Sequence, residues 1–388
     1  MVYNRQVIYL DYAAATPLDP RVLKAQEPYF TDQFFNPSAS YLAAQQVRAD
    51  YEAARHSLAQ IIGARPAEVV ITAGATESIN LALNGVSGKI LTTEIEHAAV
   101  LSLAKARNGV IIPVDAKGRI NLSLLESSIT DEIELISIGY ANSEIGTVQS
   151  IKEIASIVAR IRERRKSTGN NRSLLLHTDA SQAAGYLDIN TARLGVDLMT
   201  LNAGKCYGPK QVGLLYVKAG IQLKPLVYGG GQEMGLRSGT ENVAGAIGFA
   251  RALELAEKKR KAETIRLLEL RDDLENFIMN EFEDAVINGH KKHRLPNILN
   301  FSIPELDGER AVFALDQAGV MVATGSACAA NKGTRSHVLT AISLAPEVAD
   351  GSLRISMGRL TTESEIAELK PILAETIRAQ LKFGAIHA

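Results

Sequence analysis

The chain has 388 residues, of which 46% are hydrophobic and 22% are charged, and its net charge is −1. This composition is typical of a soluble globular protein of two or three domains, and the balanced charge argues against nucleic acid as a partner. No apolar run approaches the roughly 20 residues of a membrane span, and the N-terminus has no signal-peptide pattern. We therefore expect no membrane association and a cytoplasmic location, with Cys206 and Cys328 reduced.

Between residues 68 and 218, short apolar runs alternate with helical patterns. The predicted strands are 69–72, 89–92, 133–140, 174–177, 196–201 and 212–217, and the predicted helices are 76–83, a segment from about 98, and 151–164. This alternation predicts an α/β fold, with a mostly parallel sheet covered by helices on both faces. Ligands of such folds bind at the carboxyl ends of the strands.

The pattern changes in the last third of the chain. Residues 244–282 have apolar positions every three or four residues, which predicts one long amphipathic helix or two joined ones. The remainder mixes predicted strands at 298–303 and 353–357 with predicted helices at 308–317 and 362–381. This mixture indicates a smaller α+β domain.

Three residues of different chemistry suggest which reaction the fold supports. Lys205 follows the predicted strand 196–201, Asp179 precedes it, and Cys328 lies much later in the chain. A lone lysine is usually a solvated surface charge. A lysine that forms a Schiff base, an aspartate that holds a pyridinium nitrogen and a nucleophilic cysteine together indicate pyridoxal phosphate chemistry on a sulfur substrate.

Two strand-to-helix turns have both a functional and a structural interpretation. Ala75 and Thr76 follow strand 69–72 at the start of a helix, where backbone N–H groups bind phosphate; the alternative is a plain turn capped by Thr76. His97 follows strand 89–92, where an imidazole can stack on a flat cofactor and move protons. The alternative is a structural histidine at a helix start, whose ring is hydrogen-bonded within the protein.

The remaining candidates are also open to two interpretations. Asp179 either pairs with a cofactor nitrogen or caps a turn, while Gln182 can donate to a ring oxygen. Arg354 either holds a substrate carboxylate or forms a surface ion pair. Cys328 lies among small and glycine residues, which favours a reactive thiol on an open loop, whereas Cys206 is interpreted as a small packed hydrophobe.

These motifs occur in the order found in a known family. They comprise residues 9–17, 36–38, 74–78, 96–97, 143–146, 179–182, 205, 207–209, 229–233, 236–242, 296–300, 325–328 and 354. Each motif is weak alone, but together they run nearly from end to end. The chain resembles the cysteine desulfurases of the NifS/IscS type, within the class V aminotransferase superfamily of fold-type I pyridoxal phosphate enzymes.

The resemblance implies a role for each residue around the cofactor. Lys205 carries pyridoxal 5′-phosphate and moves the substrate Cα proton. Asp179 pairs with the pyridine nitrogen, Gln182 with the ring oxygen, and His97 stacks on the ring and acts as an acid or base. The other cofactor contacts implied by the resemblance are Ala75, Thr76, Ser143, Asn202 and, from a neighbouring subunit, Thr240. The Thr240 contact implies a homodimer.

The resemblance also implies how the substrate, L-cysteine, is processed. Arg354 holds its carboxylate, with Asn142 close by, and Cys328 removes its sulfur as a persulfide, releasing alanine. The persulfide then passes to an acceptor protein, usually an iron–sulfur scaffold, or supplies tRNA thiolation. A large cofactor domain spans 13–258, and a small α+β domain combines 1–12 with 259–388, including the cysteine loop at about 323–336.

The chain departs from the family pattern in four places. Asn202 and Gly204 replace the usual serine and histidine before the lysine, and Ser143 replaces an asparagine. Tyr41 replaces a histidine and Met234 an arginine. Because a charged hydrogen bond is worth about 1.5–3 kcal/mol, the phosphate changes weaken cofactor affinity by one or two orders of magnitude unless Asn202 and backbone groups compensate.

Other functions are compatible with parts of this pattern. A selenocysteine lyase would strongly prefer selenocysteine to cysteine. A class V aminotransferase would use no cysteine nucleophile, so Cys328 disfavours it. A degenerate member acting as a non-catalytic partner or scaffold would fit the altered phosphate residues, but would have no need of Lys205 and Asp179.

Overall fold

The computed structural model describes residues 7–325 and 335–387, with side chains to residue 382. Its helices are α1 (Pro20–Gln26), α2 (Leu42–Ile62), α3 (Ala75–Asn84), α4 (Ala98–Ala106), α5 (Leu122–Ser128), α6 (Ile151–Ser167), α7 (Thr191–Leu194), α8 (Val243–Glu281), α9 (Gly308–Gln317), α10 (His337–Ala341), α11 (Pro346–Asp350) and α12 (Glu363–His387). Among these helices, none combines the length and apolar character needed to cross a membrane.

The strands form three sheets. They are β1 (Ile8–Tyr9), β2 (Val69–Thr72), β3 (Lys89–Thr93), β4 (Val110–Ile112), β5 (Ile133–Ser137), β6 (Leu175–Asp179), β7 (Leu198–Asn202), β8 (Gly213–Val217), β9 (Val286–Ile287), β10 (Ile298–Ser302), β11 (Val320–Met321) and β12 (Ser352–Ser356). The largest sheet has seven strands in the order β2-β8-β7-β6-β5-β3-β4. Strands β12, β10 and β9 form a second sheet, and β1 pairs with β11.

The seven-stranded sheet confirms the predicted α/β fold. Strand β8 runs antiparallel to both of its neighbours, and the other six strands are parallel to one another. Strands β2, β7 and β8 are buried along almost their whole length, as expected for a sheet covered on both faces. The carboxyl ends of β2, β3, β5, β6 and β7 therefore meet along one edge of the sheet.

Some predicted boundaries were wrong. The strand predicted to run from 133 to 140 ends at Ser137, because the backbone N–H of Gly139 turns away to the carboxylate of Glu96. Strand β4 was not predicted, since a three-residue run is too short to give a periodic pattern. The segment 244–282 is a single 39-residue helix, which settles the question of one helix or two.

Helix α8 contributes to two hydrophobic cores. Phe249 and Leu253, in its first half, pack into the core beneath the seven-stranded sheet. Leu274 and Ile278, in its second half, pack into the core of the β12-β10-β9 sheet, which Ile8 also joins. These two cores are the physical basis for the proposed domains 13–258 and 1–12 with 259–388, a division that stays a prediction.

Candidate active site

A cavity of about 660 Å³ opens at the carboxyl ends of the parallel strands. The predicted site residues that line it are Ala75, Thr76, His97, Asn142, Ser143, Asp179, Gln182, Asn202, Lys205 and Arg354. Thr240 is exposed and is not among the lining residues. Cys328 lies outside the described residues, although Gly325, in the same predicted loop, lines the cavity. Residues far apart in the chain thus meet in one site.

Lys205 presents its amine at the cavity wall, in the short turn that follows β7. Its Nζ donates to the carbonyl oxygens of Ala13 and Ala14, both at 2.7 Å. Burial, and then the charge of Arg354, lower the pKa of Lys205 below its ordinary value. A neutral amine is therefore more accessible here than on a surface lysine, and this is the form that attacks an aldehyde.

The turn between β2 and α3 is open for an anion. Helix α3 begins at Ala75, and its N-cap is Gly74, which has no side chain to occupy the first N–H groups. The alternative interpretation, in which Thr76 caps a plain turn, is therefore wrong. Gly74 has φ of +124° and open space where a Cβ would stand. The backbone N–H groups of Ala75 and Thr76 are suited to hold a phosphate.

Asn202 is the second candidate anion contact. Its Oδ1 accepts a hydrogen bond from the backbone N–H of Gly204 at 3.0 Å, so the orientation of its amide is defined. The amide nitrogen remains as a donor on a residue that lines the cavity. The hydroxyl and imidazole donors that the family pattern would supply here are replaced by one amide and a glycine backbone.

His97 is the N-cap of α4, where its Nδ1 accepts from the backbone N–H of Ala99 at 3.1 Å. The structural interpretation of this histidine is correct, but the residue also lines the cavity. Because Nδ1 is an acceptor, the neutral ring carries its proton on Nε2. A single tautomer with a donor at Nε2 suits a hydrogen bond to a bound ligand, and the acid or base role of His97 stays a prediction.

Asp179 and Gln182 lie just beyond β6. One carboxylate oxygen of Asp179, Oδ1, accepts from the backbone N–H of Ser181 at 2.9 Å, which is the turn-capping role. Within the described part of the chain no donor reaches its second oxygen. The amide nitrogen of Gln182 donates to the carbonyl of Ala13 at 3.0 Å, the same oxygen that Lys205 contacts. Their roles toward a cofactor stay predictions.

Arg354 on β12 is a buried residue of the cavity wall, so its interpretation as a surface ion pair is wrong. Its Nη2 donates to Asp11 Oδ1 at 2.7 Å and its Nη1 to the carbonyl of Ser143 at 3.1 Å. Its Nε is buried without a hydrogen-bond partner. A buried, charged donor without a partner is costly unless a ligand satisfies it.

Asn142 lines the same wall, but its side chain is engaged in the local turn. Its amide nitrogen donates to Ile95, and its oxygen accepts from the backbone N–H groups of Glu144 and Ile145. These bonds leave the amide little capacity for a substrate. The predicted contact of Asn142 with L-cysteine stays a prediction.

Sequence reasoning missed two carboxyl groups of the cavity wall, Glu96 and Glu144. Glu96 accepts from Thr93 Oγ1 and from the backbone N–H of Gly139, and Glu144 contacts the hydroxyl of Ser336. Burial raises the pKa of each to about 7. Both lie inside the motifs of the family resemblance, and their position beside His97 and Ser143 is the signal that could have found them.

Cys206 follows Lys205 in the chain but is separate from the cavity lining. It is buried, and burial raises the pKa of its thiol to about 12. Its interpretation as a packed small hydrophobe is confirmed.

Comparison with known proteins identifies the family of the chain. The family model for aminotransferase class-V matches residues 8–369. The cysteine desulfurase IscS of Dictyoglomus turgidum is 39% identical over 385 residues, covering 96% of this chain and 95% of the relative. The chain belongs to the cysteine desulfurases of the class V aminotransferase family. The family resemblance predicted from the sequence is confirmed.

Solved structures of related proteins share the fold of this desulfurase. A NifS-like protein superimposes with a TM-score of 0.88 at 33% identity, covering 96% of this chain and all of the other. SspA, solved in complex with cysteine, superimposes with a TM-score of 0.77 at 32% identity, covering 90% and 98%. The predicted fold-type I architecture is confirmed.

Proposed function

We propose that this desulfurase converts L-cysteine to L-alanine and transfers the sulfur to Cys328. One observation carries the proposal: Lys205, Asp179 and Arg354 line a single cavity at the carboxyl edge of the sheet. They supply an amine for a carbonyl cofactor, a carboxylate for a ring nitrogen and a guanidinium for a substrate carboxylate. The SspA complex supports cysteine as the substrate.

The cavity fits pyridoxal 5′-phosphate. The uncapped start of α3 and the amide of Asn202 would hold the phosphate, and Asp179 would face the ring nitrogen. When bound, the cofactor withdraws electrons from the substrate Cα, which carbon–sulfur cleavage requires. Gly204 has no imidazole to donate to the phosphate. Backbone N–H groups and the Asn202 amide would donate in its place.

The chain's own groups orient the substrate and move its protons. The guanidinium of Arg354 binds the substrate carboxylate through the second N–H groups of Nη1 and Nη2, which the bonds to Ser143 and Asp11 leave unused. The amine of Lys205 takes the proton from Cα, since its lowered pKa suits it to act as a base. His97, whose neutral ring carries its proton on Nε2, would donate a hydrogen bond from that atom to a ligand in the cavity.

Cys328 performs the sulfur transfer. Its thiolate attacks the sulfur of L-cysteine, so that an S–S bond forms and the Cβ–S bond breaks. The electron pair of the broken bond stays on carbon, which takes up a proton and becomes the methyl group of L-alanine. The sulfur remains on Cys328 as a persulfide, for delivery to an acceptor protein such as an iron–sulfur scaffold, in the cytoplasm.

The proposal includes a homodimer, in which the second chain would complete the site of the first. Exposed apolar side chains cluster on two segments, at Phe30, Phe34, Tyr41 and Leu42, and at Tyr228 and Met234. Helix α2, which begins at Leu42, is joined to the second segment, because Arg55 in this helix forms a buried ion pair with Glu233 at 2.6 Å. Exposed apolar patches mark protein interfaces. A second copy seated there would bring its Thr240 to the phosphate.

Light scattering tests the homodimer. The wild-type protein should have twice the mass of one chain, and Tyr228→Glu should shift it toward the single chain and weaken cofactor binding by about tenfold or more, because a buried unpaired charge disrupts an interface. Phe313→Glu is the matched control, since Phe313 is also exposed but lies on α9, away from the cluster. A dimer that tolerates the charge at Tyr228 contradicts this interface.

The visible spectrum of the purified protein tests the proposed function. We expect a yellow protein whose absorption band changes on addition of L-cysteine, with alanine and persulfide formed in equal amounts. An absence of colour after incubation with pyridoxal phosphate would favour the non-catalytic alternative. A strong preference for selenocysteine, or amino transfer to a keto acid, would point to the lyase or the aminotransferase.

A further inference from the structure

Arg354 is anchored on two sides. Asp11 accepts from its Nη2 at 2.7 Å and the carbonyl of Ser143 accepts from its Nη1 at 3.1 Å, and only 4% of the Arg354 side chain is exposed. Asp11 lies behind the arginine, because the lining of the cavity includes Arg354 and not Asp11. A buried guanidinium requires such a counter-charge.

The anchored guanidinium keeps free donors for a ligand. An arginine has five N–H donors. In the described part of the chain Arg354 donates one N–H from Nη1 and one from Nη2, so each of these nitrogens keeps a second N–H for a ligand, whereas Nε is enclosed by protein. A substrate carboxylate can therefore bind without displacing Asp11. The substrate carboxylate would then share the positive charge of Arg354 with the carboxylate of Asp11. Because both carboxylates are negative, they would repel each other.

We propose that Asp11 is a positioning residue that sets the affinity of Arg354 for the substrate carboxylate and keeps it low enough for the product to leave. The inference rests on the proposed function. L-Cysteine and L-alanine carry the same carboxylate, so a higher affinity of Arg354 for that group would make both molecules bind more tightly. Such uniform binding lowers KM without raising kcat.

The side chain of Asp11 can be changed with little effect on the local backbone. Its carbonyl oxygen accepts from the hydroxyl of Tyr9 and from the backbone N–H groups of Ala14 and Ala15, and none of these bonds involves the carboxylate. An asparagine would keep an oxygen that accepts from Arg354 and remove the negative charge. Asp11→Asn therefore isolates the charge.

The experiment uses the full-length, cofactor-loaded enzyme. In Asp11→Asn, the KM for L-cysteine and the inhibition constant of L-alanine should each fall about tenfold, equivalent to about 1.4 kcal/mol, while kcat does not rise. Cysteamine, which is cysteine without its carboxylate, should perturb the cofactor spectrum at unchanged concentrations. Asp284→Asn, an exposed position, is the matched control and should leave every value unchanged.

The outcomes separate the inference from the proposed function. Equal shifts for L-cysteine and cysteamine, or no shift for either, would mean that Asp11 does not act on the carboxylate. If the asparagine variant does not fold, Asp11→Ser gives the same comparison, with a hydroxyl as the acceptor. A wild-type enzyme whose spectrum does not respond to L-cysteine refutes the proposed function itself, before any variant is compared.

Discussion

Replacing Lys205 with alanine should reduce alanine formation from L-cysteine by about 10³-fold or more, because in the proposed function this one residue supplies both the cofactor attachment and the base. The structure gives the physical reason. The Lys205 amine is held by the carbonyls of Ala13 and Ala14 at the cavity wall, and burial lowers its pKa. Loss of the amine would leave the proposed phosphate and ring contacts in place but would remove the proposed covalent link.

Two measurements distinguish this role from a structural one. After borohydride reduction and denaturation, the wild-type chain should retain the cofactor mass on the peptide that contains Lys205, and the variant should retain none. Lys224→Ala is the control, because Lys224 is an exposed lysine outside the cavity lining. A variant that keeps the reduced cofactor attached, or that turns over at the wild-type rate, would exclude Lys205 as the attachment site.

The sequence predicted the sheet well, for a physical reason. A strand buried on both faces must be apolar throughout, so runs such as Val69–Thr72 are recognisable without knowledge of their neighbours. The direction of a strand within the sheet is not encoded in its own sequence in this way. Strand β8 is as apolar as β2 and β7, its neighbours in the sheet, yet it runs antiparallel to both of them.

The site was predicted less completely, because its electrostatics depend on contacts between distant residues. Arg354 and Asp11 are 343 positions apart, and nothing in either local sequence indicates that they pair. Glu96 and Glu144 have pKa values of about 7 only because the fold buries them. Local patterns identify which residues carry chemistry, whereas tertiary packing sets their charge states.

Cys328→Ala should abolish persulfide formation and sulfide release from L-cysteine while the cofactor colour and its response to L-cysteine remain. The thiolate is the proposed acceptor of the sulfur, and among the described lining residues of the cavity none carries a thiol. The residues proposed to bind the cofactor and the carboxylate are unchanged in this variant. The loss should therefore lie in kcat rather than in substrate binding.

The chain provides its own matched control in Cys206, the other of its two cysteines, which is buried outside the cavity lining. Cys206 is buried and its pKa is raised to about 12, so its thiolate is scarce at neutral pH. Cys206→Ala should keep activity within about threefold and cost about 1 kcal/mol of stability for the small cavity that it leaves. Mass spectrometry of the wild-type protein after brief exposure to L-cysteine should locate one added sulfur atom on the peptide with Cys328. Added sulfur on Cys206 instead, or wild-type sulfide release from Cys328→Ala, would require a different acceptor and hence a different mechanism.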